Sequence, residues 1–201
     1  TLPEDWDIES EVMSAHQRHG TGNLRIREVM QDHYRIPEQF EHFLYAAQLL
    51  QAEAIKLAIE AHRSAKPYCM GTLYWQLNDC WPVTSWSGLD YYGRWKALHY
   101  HVKRAYEPVM IRAVLVDSLL AVIAVNDHPE GMKAILDSSM QYFDGRRIMH
   151  DEREVELLPQ GTQQVFSLPA GKDTCQDLLF LARLLMGGEE LSNTFLYFSP
   201  T

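Results

Sequence analysis

The chain lacks the long apolar run that a membrane-spanning helix needs: no 18 apolar residues follow one another. No secretory apolar region is legible either, and a chain that opens at Thr1 reads as a piece of something longer. Cysteine is scarce. The three present, Cys69, Cys80 and Cys175, are odd in number and have no zinc-ligand spacing, which argues against a disulfide framework and a zinc module. Cys69, at the head of an apolar run, reads as a small hydrophobe. Basic runs are missing, and the formal charge is −9, which argues against nucleic acid and anionic membrane as partners. Phosphate-cradling glycine loops and a G-x-S-x-G elbow are absent, so nucleotide cofactors and an esterase-type serine are unsupported. The compartment is not legible.

What is present divides by texture. An acidic start (Glu4, Asp5, Asp7, Glu9, Glu11) suits the first turn of a helix over about Asp7–Gln17 and reads as a solvated face, not a catalytic pair. After Gly20-Thr21-Gly22, Asn23 caps a second helix to about His33. Pro37 opens a third, to about Ala65. Its apolar positions Phe40, Phe43, Leu44, Ala47, Leu50, Ala54, Leu57, Ala58 and Ala61 form one stripe expected to pack on a sheet. Asp90 is the expected N-cap of a fourth helix burying Trp95, Leu98, Val102 and Ala105. Past about Tyr106 the pattern turns to short β-rich runs: 109–116, 119–125, 133–143, 147–157, 163–168, 177–186 and 194–198. Turn signals such as Asp144-Gly145, Pro169-Ala170-Gly171 and Gly187-Gly188 separate them, as in an immunoglobulin-like sandwich. His99 and His101 lie two apart on a helix and diverge, and His16 and His19 have no matching ligands, so no metal site is expected.

The central stretch is Gly71-Thr72-Leu73-Tyr74-Trp75-Gln76-Leu77-Asn78-Asp79-Cys80-Trp81-Pro82. The run Cys69–Leu77 reads as a strand buried on both faces, ending in polar groups where a barrel enzyme places its site. A tryptophan there is more often core than ligand wall. Gln76, Asn78 and Asp79 supply the hydroxyl-reading groups that a sugar site needs beside an aromatic face, which brings the two readings level. Trp81 and Trp86 either line the mouth or pack a long loop on the rim.

GTLYWQLND, a Trp-rich loop and YYGRWKALHY together resemble the last barrel strand and helix of β-mannosidases, retaining exo-glycosidases of glycoside hydrolase family two. The resemblance runs from Thr1 to the end of the chain. It implies an α+β composite: residues 1–106 the last helix–strand–helix portion of a (β/α)8 barrel, and residues 107–201 an immunoglobulin-like β-sandwich. The implied partner of the intact parent is a β-mannoside, with no cofactor. The implied substrate-binding residues are Trp75, as the wall of the terminal-sugar subsite, with Asn78, Asp79 and Trp81 at its edge. No catalytic residue is assigned to the chain, because the family's two glutamates lie on earlier strands. The Trp75–Gln76 bond is expected to be cis in the intact parent, with the fragment free to relax to trans. The strand Cys69–Leu77, without its barrel neighbours, is expected to be distorted or to pair with another copy. Two other readings stand beside this one: a non-catalytic glycan- or protein-binding sandwich, and a family-two enzyme of other sugar specificity.

Overall fold

The computed structural model describes residues 2–170 and 177–198. Thr1, Gly171, Cys175 and Ser199-Pro200-Thr201 lie outside them. The chain falls into two compact units, Thr1–Ile59 with Thr72–Ala105, and Glu60–Gly71 with Tyr106–Thr201. It is an α+β chain, with helices early and antiparallel sheets late. No helix among the described residues is long and apolar enough to cross a membrane.

Among the described residues, a short 3-10 helix (Pro3–Asp5) and four α-helices precede the sheets: α1 (Glu11–His16), α2 (Gly22–His33), α3 (Phe40–Ser64) and α4 (Ala97–Ala105). The expected helix over 7–17 is shortened, because Ser10 caps α1 by accepting a hydrogen bond from the Met13 amide at 3.2 Å. The long helix is formed, but it does not bury one stripe. Phe43 packs with Ile8 and Met30. Further along, Ala52 and Ile59 pack with Leu98, Val102 and Ala105. Those two sets lie on different faces, so Ala54, Leu57 and Ala58, expected in the core, are exposed.

The expected strand Cys69–Leu77 is not formed. Among the described residues it has no ladder partner, and only an isolated parallel bridge joins Asn78 to Leu89. Exposure instead alternates along it, with Leu73 at 99% and Trp75 at 72% on one side and Tyr74 half-buried on the other. Cys69 is half-buried and not in a core. Asp90 does not cap α4. Its Oδ1 accepts from the amides of Tyr92 and Arg94, both at 2.8 Å, closing a turn ahead of the helix. Trp95 consequently stays 45% exposed.

Among the described residues, the second unit holds seven strands: β1 (Val109–Val116), β2 (Leu119–Asn126), β3 (Met132–Tyr142), β4 (Arg147–Leu157), β5 (Gly161–Pro169), β6 (Leu178–Met186) and β7 (Glu189–Tyr197). They form a three-stranded sheet, β1-β2-β5, and a four-stranded sheet, β4-β3-β6-β7. The sheets share one core. Ile111, Leu120, Val122 and Phe166 from the first meet Leu136, Phe180 and Leu184 from the second. The Phe166 and Phe180 rings stack across it at 5.7 Å. Gly187 and Gly188 turn β6 into β7 at positive φ, 62° and 87°.

Strand β1 is an edge, and its outward amides are not left bare. The Ile111 amide donates to Ser192 Oγ and the Ala113 amide to Thr194 Oγ1, each at 3.0 Å. Asp127, at the end of β2, pairs with Arg63 at 2.8 Å and with Lys66. This ties residues 60–71 to the unit that contains the sheets. Asp137 on β3 binds Arg183 at 2.5 Å and His150 at 2.9 Å.

Two predictions follow from these contacts. Thr194→Val keeps the shape but strands the Ala113 amide, so urea unfolding should show a loss of about 1–3 kcal/mol. For the two aspartates, burial pushes each carboxyl up, but the opposing cations outweigh it. Lys66 and Arg63 hold Asp127, and Arg183 and His150 hold Asp137, below the ordinary carboxylate value. A depressed folded pKa gives stability that is complete above the unfolded value of about 4 and is lost as pH falls through the folded one. The thermal midpoint should therefore drop below about pH 4, and Asp127→Asn/Asp137→Asn should flatten that part of the profile.

Candidate functional site

Trp75 stands on a segment held from both sides. Before it, Tyr74 packs against the Ala52–Ile59–Leu98 cluster. After it, the carbonyls of Gln76 and Leu77 accept hydrogen bonds from the amides of Gly88 and Leu89 at 3.0 and 2.8 Å. The Trp75–Gln76 peptide bond is cis, as expected for the intact parent, and the fragment does not use its freedom to relax to trans. The indole itself is 72% exposed.

The other expected site residues are placed differently. Asn78 is exposed, and its amide folds back on the Asp79 carbonyl at 3.2 Å. Asp79 is buried, with 5% of its surface exposed. Its Oδ2 binds Lys96 Nζ at 2.7 Å and its Oδ1 accepts from Ser85 Oγ at 2.5 Å. Lys96 Nζ also donates to Ser87 Oγ at 2.8 Å. The carboxylate therefore faces inward and meets an ammonium, not solvent. Trp81 is half-buried. Its Nε1 donates to the His16 carbonyl at 3.0 Å, and the Arg18 guanidinium lies 4.6 Å from its ring centre. His16 Nδ1 in turn bonds the Pro82 carbonyl at 2.7 Å. Trp81 thus packs the loop onto α1.

A cavity of about 740 Å³ opens in the first unit. Trp75, Trp86, Trp95, Tyr91 and Tyr92 line it on the loop side, and Phe40, Leu44, Ala47 and Ile55 of α3 line the other wall. Asn78, Asp79 and Trp81 are not part of its lining. Asp79 and Trp81 border a smaller hollow of about 40 Å³ with Gln76 and His16. The structure thus gathers Trp75 with Trp86 and Trp95, and sets Asp79 and Trp81 behind them. Among the described residues, the one carboxylate of the large cavity is Asp90, whose Oδ1 is taken by its own turn.

No group of three His, Cys, Asp or Glu side chains suited to a metal occurs among the described residues. His99 packs edge-on to Trp95 at 4.5 Å. His101 is held below its ordinary pKa, first by burial and then by Lys56 and Arg104.

The sequence reading did not single out Lys96, Ser85 and Ser87. Lys96 lies 17 residues from Asp79, and no helical or strand period links them. The available signal was a lysine inside an aromatic–apolar run, Trp95-Lys96-Ala97-Leu98, where burial demands a counter-charge. Removing that counter-charge should be costly. Asp79→Ala leaves the Lys96 ammonium buried and alone, and chemical unfolding should register a loss of about 3–5 kcal/mol in the first unit.

No family model matches the chain. Among curated proteins, it is 33% identical over 146 residues to a β-mannosidase of Capra hircus, a match covering 66% of this chain and 17% of that protein. It is 30% identical over 176 residues to β-mannosidase A of Aspergillus terreus, covering 75% and 19%. The crystal structure of a β-D-mannosidase from Dictyoglomus thermophilum superposes on all of this chain and 25% of its own, with a TM-score of 0.93 at 28% identity. An exo-chitosanase from Amycolatopsis orientalis shares the fold at a TM-score of 0.81 and 20% identity. The chain spans less than a fifth of the length of the two curated relatives. By sequence and by fold together, the chain is a segment of the β-mannosidase type of glycoside hydrolase family two.

Proposed function

We propose that this chain is the C-terminal part of the catalytic region of a retaining exo-β-mannosidase, which removes terminal non-reducing β-D-mannose. In this reading residues 1–106 are the last helix–strand–helix portion of a (β/α)8 barrel, and residues 107–201 are an immunoglobulin-like sandwich that follows it. The half-covered apolar wall of α3 in the 740 Å³ cavity supports the barrel assignment, because a helix face of that composition suits packing on further strands.

The observation that carries the reading is the Trp75 indole, 72% exposed on a backbone held at both ends, within a chain that superposes on the Dictyoglomus thermophilum β-D-mannosidase at a TM-score of 0.93. A flat, fixed aromatic face suits the axial C–H groups of a pyranose. Asn78, exposed beside it, serves the rim. Asp79 and Trp81 serve the site from behind, by holding the loop.

Retaining hydrolysis needs two carboxyls about 5–5.5 Å apart, one to attack and one to protonate the leaving oxygen. Among the described residues, the cavity beside Trp75 offers Asp90 alone, and Asp79 is spent on Lys96. The 201-residue chain is therefore inactive alone and contributes a wall, not the chemistry.

A second reading has one observation in its favour. Phe143 and Tyr197 are 61% and 52% exposed on the sandwich, with ring centres 6.0 Å apart. Such a pair suits a glycan-binding surface independent of Trp75.

One experiment separates the readings. The purified chain is assayed for nitrophenol release from a nitrophenyl β-mannoside, against Trp75→Ala, and both are titrated with manno-oligosaccharide. No turnover is expected. Turnover that vanishes in Trp75→Ala would overturn the reading of an incomplete enzyme. Binding kept in Trp75→Ala but lost in Phe143→Ala would favour the sandwich module. In a longer protein carrying this segment, Trp75→Ala should lower kcat/KM by roughly tenfold or more, about 1.4 kcal/mol of transition-state contact.

A further inference from the structure

The Trp75 indole has little packing of its own, so its position is set by the backbone on which it stands. That backbone is tied to the loop 78–96 through the hydrogen bonds of Gln76 and Leu77 to Gly88 and Leu89. The loop closes on itself there. The Asp79 amide donates to the Leu89 carbonyl at 3.2 Å, and the Lys96 amide to the Gly88 carbonyl at 3.0 Å. Gly88 is closely surrounded: a Cβ there would stand 3.2 Å from His99 Nδ1 and 3.4 Å from the Tyr74 hydroxyl.

Side chains lock the same crossing. Lys96 Nζ, at the far end of the loop, reaches Asp79 at its start at 2.7 Å and Ser87 at 2.8 Å. Ser87 Oγ donates to the Leu89 carbonyl at 2.8 Å, and the Ser87 amide donates to Ser85 Oγ at 3.1 Å. Asp79, Ser87 and Lys96 are all buried, with 5%, 0% and 9% of their surfaces exposed. The network is largely buried, with Ser85 and Lys96 bordering the cavity, so its members depend on one another and resist a shift of the loop.

We propose that Asp79 and Lys96 are positioning residues: their buried ion pair, with Ser85 and Ser87, fixes Gly88 and Leu89 against Gln76 and Leu77 and thereby sets the Trp75 indole as the wall of the sugar subsite. The subsite itself rests on the function proposed above; the effect of the pair on Trp75 does not. Asp79 lies outside the lining of the 740 Å³ cavity, while Lys96 borders it, so a fluorine label on Trp75, and not activity alone, separates positioning from direct contact. Each acts through the backbone that carries Trp75.

The test replaces the pair by apolar side chains of similar size, Asp79→Leu/Lys96→Met, which leaves no charge stranded and is often neutral for stability. The 201-residue chain is labelled with fluorotryptophan, and the Trp75 fluorine line is assigned with Trp75→Phe. Trp6, which stacks on Phe40 and makes none of these loop hydrogen bonds, is the internal control. The expected result is a thermal midpoint within a few degrees of the unsubstituted chain, an unmoved Trp6 line, and a Trp75 line that shifts or broadens. A Trp75 line that stays in place overturns the proposal. Should the double variant unfold, Ser87→Ala reads the same device with the ion pair intact: a smaller displacement of the Trp75 line supports the proposal, and none overturns it.

Activity adds a second arm. In a longer protein carrying this segment, the double variant should keep its thermal midpoint yet lose roughly tenfold to a hundredfold in kcat/KM on a nitrophenyl β-mannoside. Full activity in the folded double variant overturns the positioning role. An unsubstituted longer protein without turnover defeats the mannosidase reading alone, since the fluorine line reports on Trp75 without any activity.

Discussion

A carboxylate and an ammonium buried together must satisfy one another, and the first unit is arranged around that demand. Outside water, each charge alone is costly, and the pair is tolerable only when short hydrogen bonds fill the remaining lone pairs and protons. Asp79 and Lys96 meet those terms with Ser85 and Ser87. The consequence is geometric. Two ends of a long, tryptophan-rich loop are brought to one point, and the short backbone bridges around Gly88 and Leu89 form where that point puts them. The loop needs this polar pin because the segment before it finds no ladder partner in the described chain.

The second unit is organised by a different force. Its strands bury alternate residues from both sheets in one apolar core, and the hydrophobic effect needs no specific pair to hold them. Specific polar contacts appear where the sheet would otherwise be incomplete, beside surface ion pairs such as Asp137 with Arg183. Ser192 and Thr194 satisfy amides on the β1 edge, and Asp127 gathers Arg63 and Lys66 at the end of β2. Each removes an unpaired group that sequence alternation alone cannot satisfy. The two units therefore differ in what a mutation does to them. A core truncation in the sandwich loses packing over an area, whereas a single lost charge in the loop leaves its partner stranded.

Most strands of the sandwich and the existence of the helices before them were legible locally, although β7 begins at Glu189, ahead of the expected run 194–198. The β-rich runs 109–116, 119–125 and 147–157 are legible from local composition, and Gly187-Gly188 and Asp144-Gly145 mark turns by local conformational freedom. Such signals need no distant partner, and the observed β1, β2 and β4 follow them to within a residue. Local composition left Trp75 level between core and ligand wall, and the resemblance carried by GTLYWQLND singled it out.

Only the tertiary structure decided the rest, and the reason is the same in each case. A strand exists by pairing, so the apolar run 69–77 could not become one without a neighbour, whatever its composition. The face that α3 buries depends on what packs there, so Ala52 and Ile59 met Leu98 while Leu57 stayed in solvent. Asp79 and Trp81 looked like rim residues from their place in the chain. Their partners, Lys96, Ser85, His16 and Arg18, come from positions that no local period connects to them. A side chain's neighbours at long sequence separation are fixed by the path of the backbone, and that path is settled only when the whole loop has closed.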